Sequence, residues 1–202
     1  MGHRYAIAGA LNGLGNLASG SGEHGAARGL FEEGITLRRE MGDRLGEAIG
    51  LRDLGAAERR SGDHVTARVH LAEGLSIWRE VGTESDCAGA LDSIAQLGVA
   101  EGDSRQAVRL MAAGEALRGG LGIHRAPPDK AKMIRTSATA RTALGPTAYD
   151  TAAAEGRALT MDEAVAYALG EVTWKKLTPV VAERLAAGEG TETRVASEPA
   201  PD

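Results

Sequence analysis

Shifted against itself by 40 residues, the chain falls into register three times without a gap, over 4–43, 44–83 and 84–123. Leu11, Leu51 and Leu91 coincide, as do Leu14, Leu54 and Ile94; Gly22, Gly62 and Gly102; and Ala27, Ala67 and Ala107. Phe31, Leu71 and Met111, then Gly34, Gly74 and Gly114, continue the match. A repeat of this length is one supersecondary unit that cannot cover its own apolar surface, so copies must stack. Within each copy the apolar residues recur at three and four positions, as in Leu71, Leu75 and Trp78, which predicts two amphipathic helices per repeat. Gly22, Gly62 and Gly102 stand where a left-handed residue ends the first helix. Glu23, Asp63 and Asp103 follow as N-caps of the second, Asp103 with Gln106 as a capping box.

The stretch "GALNGLGNLASGSGEHGAARG" tests that reading, because "GLGNLA" approximates a dinucleotide-binding glycine turn. Its equivalents forty residues on are "DLGAAE" and then "SIAQLG", inside predicted first helices, and no strand-like run precedes it. The glycines therefore belong to helices: Gly22 ends one, and Gly34 allows a close helix approach. Gly9, Gly13, Gly15, Gly25 and Gly29 are surplus, each costing roughly 0.8–1 kcal/mol against alanine, so the first repeat should be the weakest. Only six aromatic residues are present, which leaves Ala, Leu, Ile and Val to build a helical core.

Leu11, Leu14, Gly15, Ala27, Phe31 and Gly34, and likewise Leu51, Leu54, Gly55, Ala67, Leu71 and Gly74, resemble the tetratricopeptide repeat. The third copy, Leu91, Ile94, Ala95, Ala107, Met111 and Gly114, is a degenerate version, and the usual Trp, Tyr and closing Pro are absent. The 40-residue form is similar to repeats near the C-terminal end of large bacterial STAND-type ATPase regulators of transcription that carry a LuxR-type domain. "ALGPTAYDTAAAEGRALTMDEAVAYAL" resembles the segment that closes such arrays. The resemblance implies an all-α fold, a right-handed α-α superhelix with non-repeating C-terminal capping helices. The expected organisation is three helix pairs over 4–123, capping helices over 124–187 and a disordered tail over 188–202.

After Ile123 the period fails. A helix should enter through Pro127 and Pro128 and close at Gly145-Pro146, and Thr160 with Glu163 should cap another. Asp162 and Glu163 read as first-turn acids that complement a helix dipole, not as an acid–base pair. "LTPVVAERLAAG" resembles the opening of a LuxR-type helix-turn-helix but is about one turn short and has no recognition helix after it.

Several function classes recede. The net charge is −5 and neither half is basic, so no direct nucleic-acid contact is expected. No apolar run approaches the roughly 20 residues that span a bilayer, so no membrane is expected. Cys87 is the single cysteine and reads as a small buried side chain in a cytoplasmic protein. His3, His24, His64, His70 and His124 show no metal-ligand spacing, and no G-x-x-x-x-G-K-[ST] loop is present, so no catalytic, metal or cofactor residue is assigned. The leading expectation is a non-catalytic scaffold or sensor segment whose first helices line a concave face for a peptide or partner domain. Asn12, Asn16, Arg52, Arg59, Asp92 and Gln96 are its candidate contacts. A detached or truncated fragment of an ATPase regulator is the alternative, and a hydrolase with an inter-helix site a further one. Ile7, Leu11 and Leu14 of the first repeat also suggest a homo-oligomer contact.

Overall fold

In the computed structural model, which describes residues 2–188, the chain is all-helical. Six long helices come first: α1 (Gly2–Gly20), α2 (His24–Glu40), α3 (Arg44–Ser61), α4 (His64–Val81), α5 (Glu84–Glu101) and α6 (Ser104–Leu121). They are followed by α7 (Pro127–Leu144), α8 (Pro146–Arg157), α9 (Met161–Ala168) and α10 (Trp174–Ala187). Neighbours in sequence are neighbours in space, and α6 also packs along α8. The tail expected to be disordered lies, from residue 189 on, outside the described residues.

The helix ends follow from a few side chains. Gly62 (φ 88°) and Gly102 (φ 88°) close α3 and α5 in the left-handed conformation, which an L side chain would resist. The next amide then reaches back, Asp63 N–H to the Glu58 carbonyl at 2.9 Å and Asp103 N–H to the Gly98 carbonyl at 2.8 Å. Asp43, Asp63 and Asp103 cap α3, α4 and α6 by accepting from the amides of Gly46, Thr66 and Gln106. Glu23 makes no such bond at the start of α2, because its carboxylate sits one methylene too far out for the short return that aspartate makes.

One apolar core runs from Phe31 and Leu51 through Leu71, Leu91 and Leu110 to Val165 and Val181. At roughly 1.5–3 kcal/mol per buried aliphatic side chain, this continuous stripe is the main force holding the helices together. At the C-terminal end it is reinforced by one cation. Arg109 of α6 lies 3.6 Å from the Trp174 ring, donates to Glu155 at 2.8 Å and to the Tyr167 hydroxyl at 3.2 Å, and so ties α8, α9 and α10 to α6. Gly156 permits the contact of α8 with α6, since a Cβ there would run into the Arg109 backbone. Thr160 and Glu163 form the reciprocal capping box of α9, and Arg184 of α10 pairs with Glu163 at 3.0 Å. Helix α10 starts at Trp174, ahead of Leu177-Thr178-Pro179, and buries Leu177 and Val181 against this core.

Charges are also buried between the repeats. Glu47 is held by Arg39 at 2.6 Å and Arg44 at 2.7 Å. Glu58, 2% exposed, meets His70 Nδ1 at 2.7 Å, and its other oxygen lies 3.3 Å from Arg28 without a hydrogen bond. The Glu58 bond raises the His70 pKa; burial opposes it, Glu73 supports it, and Arg28 works against it. A histidine whose folded pKa is raised adds stability that is complete below its unfolded value, near 6.5, and is lost as pH rises through the folded value. Denaturation of the wild type and His70→Gln should therefore show a gap that is largest near pH 6 and shrinks by pH 8.5; a gap that widens with pH would contradict this pairing.

Helix α1 is thinly buried for its length. It buries only Ala8, Gly15 and Ser19, while Ile7, Leu14 and Leu17 are exposed. Gly15 is no surplus: a Cβ there would stand 2.8 Å from the Phe31 ring, whereas Gly9, Gly13 and Gly29 face open space. Gly9→Ala and Gly13→Ala should each stabilise α1 by about 0.8–1 kcal/mol, and Gly15→Ala should destabilise it. Site-resolved amide exchange reads this directly, with Leu11–Leu17 opening at lower free energy than Leu51–Ala57 in the parent chain.

Candidate functional site: a cleft lined by the odd-numbered helices

A cleft of about 590 Å³ opens along α3, α5 and α7, with Asn16 of α1 at one end. Its wall repeats the 40-residue interval. Arg52, Asp92 and Lys132 stand at equivalent positions, as do Asp53, Ser93 and Met133, and Ala56, Gln96 and Thr136. On each helix the third of these residues lies four and three positions after the first two, so the set shares one face. The lining register thus outlasts the apolar repeat: α7 has little sequence likeness to α3 and α5 but occupies the next place in the row. Pro127 starts α7 three residues late against the 40-residue spacing, and Met133 and Ala140 are the side chains it buries.

The joint that sets α7 in place is Asp92, 7% exposed. Its carboxylate accepts from Arg118 of α6 at 2.6 Å and, through both oxygens, from Arg125 at 2.9 Å. Arg118 also donates to the carbonyls of Ala88, at 2.8 Å, and Gly114, at 3.1 Å. Arg125 lies in the short link between α6 and α7 and further pairs with Glu115. Two charge-assisted bonds therefore fasten the link to α5, and the wall of α7 follows from where the link is held.

Five of the six residues expected to touch a partner line this cleft: Asn16, Arg52, Arg59, Asp92 and Gln96. Asn12 is outside the lining and donates to Asp53 at 2.8 Å, with Asn16 donating to the same carboxylate at 3.3 Å. Arg52 is partly neutralised by Asp53 at 3.0 Å and lies 5.7 Å from the Trp78 ring. Asp92 is on the cleft floor with its oxygens already occupied. Gln96 accepts from Arg59 at 3.2 Å and donates to the Met133 sulfur at 3.7 Å.

Arg59 differs from its neighbours. It is half-buried, makes no ion pair among the described residues, and has Gln96 as its polar side-chain partner. Burial, and then the adjacent Arg60, lower its pKa. Arg60 points the other way and donates to the Ser19 hydroxyl at 2.6 Å. Arg135 of α7 is exposed at the rim and makes no ion pair among the described residues. Arg60, Arg125, Arg135, Asp53 and the α7 wall were missing from the sequence reading; carrying the 40-residue register past Ile123 would have found Lys132, Met133 and Thr136.

Cys87 is buried, and burial with nearby Asp86 and Glu84 pushes its thiol up to about 11, far from a nucleophilic thiolate at neutral pH. Among the described residues no group of three His, Cys, Asp or Glu side chains could hold a metal ion, and no helix is long and apolar enough to cross a membrane. A smaller cavity of about 120 Å³ between α2 and α3 is lined by His24, Arg28 and Glu58. No family model and no curated protein matches the chain.

Removing the Asp92 carboxylate leaves Arg118 buried with its charge uncompensated, a loss of about 3–5 kcal/mol for a broken buried pair. Asp92→Asn should lower the unfolding free energy by that order in urea denaturation, while Arg52→Ala, at a half-exposed pair, should change it by about 1 kcal/mol or less. Equal effects for the two variants would remove Asp92 from its place as the joint of the wall.

Proposed function

We propose that the chain is a non-catalytic protein-binding scaffold, a tetratricopeptide-like array of stacked helix pairs forming a right-handed superhelix. The cleft along its first helices takes a peptide or a partner domain. The observation that carries this reading is the row of equivalent positions on α3, α5 and α7 that lines one open cleft, polar on all three helices at Arg52, Asp92 and Lys132. A groove whose contact positions recur from helix to helix suits an extended chain, which presents its own side chains at regular intervals. The likeness of the 40-residue repeats to those of bacterial ATPase regulators supports a cytoplasmic regulatory setting, in which this chain senses a partner and another domain or protein acts.

A random nonapeptide library displayed on phage and panned on the full chain tests the scaffold. Enrichment of a sequence family on the wild type is expected. The selected peptides should lose about tenfold in affinity on Arg52→Ala and on Arg59→Ala, the effect of one charge-assisted hydrogen bond. Failure to enrich any peptide, or enriched peptides that bind both variants as tightly as the wild type, would overturn the assignment of the cleft.

A further inference from the structure

The cleft is unlike the rest of this acidic chain. Against a net charge of −5 overall, its lining carries seven arginine and lysine side chains and four aspartates. Four of the cations are balanced locally: Arg52 by Asp53, Arg118 and Arg125 by Asp92, and Lys132 by Asp129. Arg60 has the charge of Asp53 nearby and donates to Ser19, whereas Arg59 and Arg135 remain without a carboxylate partner among the described residues. A half-buried guanidinium whose polar partner is a neutral amide has donors to spare and has given up part of its hydration, so an incoming anion gains more there than at a fully solvated arginine.

Resting on the cleft as the binding surface, we propose that its occupant is an extended acidic segment of a partner protein, gripped through side-chain carboxylates by Arg59 and Arg135. Three features of the lining select this chemistry. Ala56, Ala126 and Met133 are its few apolar side chains, whereas sites for drug-sized organic ligands are walled mostly by apolar and aromatic groups. No Phe, Tyr or Trp ring lines the cleft and His124 is the one imidazole in its lining, so successive bases of a single strand would find no run of stacking platforms; Trp78 is fully buried beneath Arg52. Asp53, Asp86, Asp92 and Asp129 are interleaved with the arginines, which penalises a uniformly charged polyanion and suits a chain whose acids alternate with neutral residues. Helices packed about 8–10 Å apart put α3 and α7 roughly 16–20 Å from each other, the span of about five or six extended residues.

Fluorescence anisotropy with a labelled octapeptide of alternating Glu and Ser tests the proposal on the full chain. The wild type should bind it, with affinity falling as NaCl is raised from 50 to 300 mM, and the Gln–Ser analogue should bind at least tenfold more weakly. Arg59→Gln and Arg135→Gln should each weaken the Glu peptide about tenfold, with circular dichroism reporting that both variants fold, while Lys175→Gln on α10 should leave binding unchanged. Four results would overturn the acidic-segment proposal: no binding of the Glu peptide, tighter binding of a single-stranded DNA octamer, displacement by millimolar inorganic phosphate, or equal weakening by Lys175→Gln. If the Gln–Ser analogue binds as tightly as the Glu peptide and both are lost in Arg59→Gln, the acidic specificity falls and the scaffold stands. If neither binds and the displayed library enriches nothing, both fall.

Discussion

A two-helix unit of this composition has apolar side chains on more faces than it can cover, and everything else in the structure follows from stacking that meets this need. Leu51 and Leu54 of α3 are buried together with Phe31 and Ile35 of α2 and with Leu71 and Leu75 of α4 in one cluster. Because each pair leans on the next, the end of the array must be closed by something that does not repeat. Helices α8 to α10 do this, drawn onto α6 by Arg109 and its ring, carboxylate and hydroxyl partners. At the other end Ile7 and Leu14 of α1 are exposed among the described residues.

The same stacking separates two kinds of charge. Between helices carboxylates are spent on structure: Glu47, Glu58 and Asp92 are each buried and each meets a basic side chain of a neighbouring segment. Such pairs contribute little net stability compared with an apolar filling, but breaking one is costly, so they fix which helix lies beside which. In the cleft the balance is reversed. Arginines there outnumber the acids that could satisfy them, and the half-buried Arg59 is left facing a neutral amide. The buried pairs hold the wall, and the cations without a carboxylate partner among the described residues are the ones proposed to meet a ligand.

Much of this was legible in the residues. The 40-residue period placed helix breaks at Gly62 and Gly102 and caps at Asp63 and Asp103, because both devices act within a few residues of themselves and need no tertiary partner. The Thr160–Glu163 box was readable for the same reason. What stayed hidden depends on distant partners. Asp92 looks like a free polar residue until Arg118 and Arg125, 26 and 33 residues away, are seen to claim it. Gly15 looks surplus until the Phe31 ring is placed over it. The continuation of the wall into α7 was hidden differently: apolar likeness ends at Ile123, but the lining positions obey the spacing of the cleft face alone, which tolerates Lys132 where Asp92 and Arg52 stand before it.

The central claim is that α3, α5 and α7 present one binding face that continues past the end of the apolar repeat. Amide hydrogen exchange on the full chain, alone and saturated with a peptide selected on it, tests this most directly. Added protection should fall along Arg52–Arg60, Gly89–Gln96 and Asp129–Thr136 together, with the amides of α4 and α6 unchanged. Protection confined to α2, α4 and α6, or present on α3 and α5 but absent from α7, would contradict it.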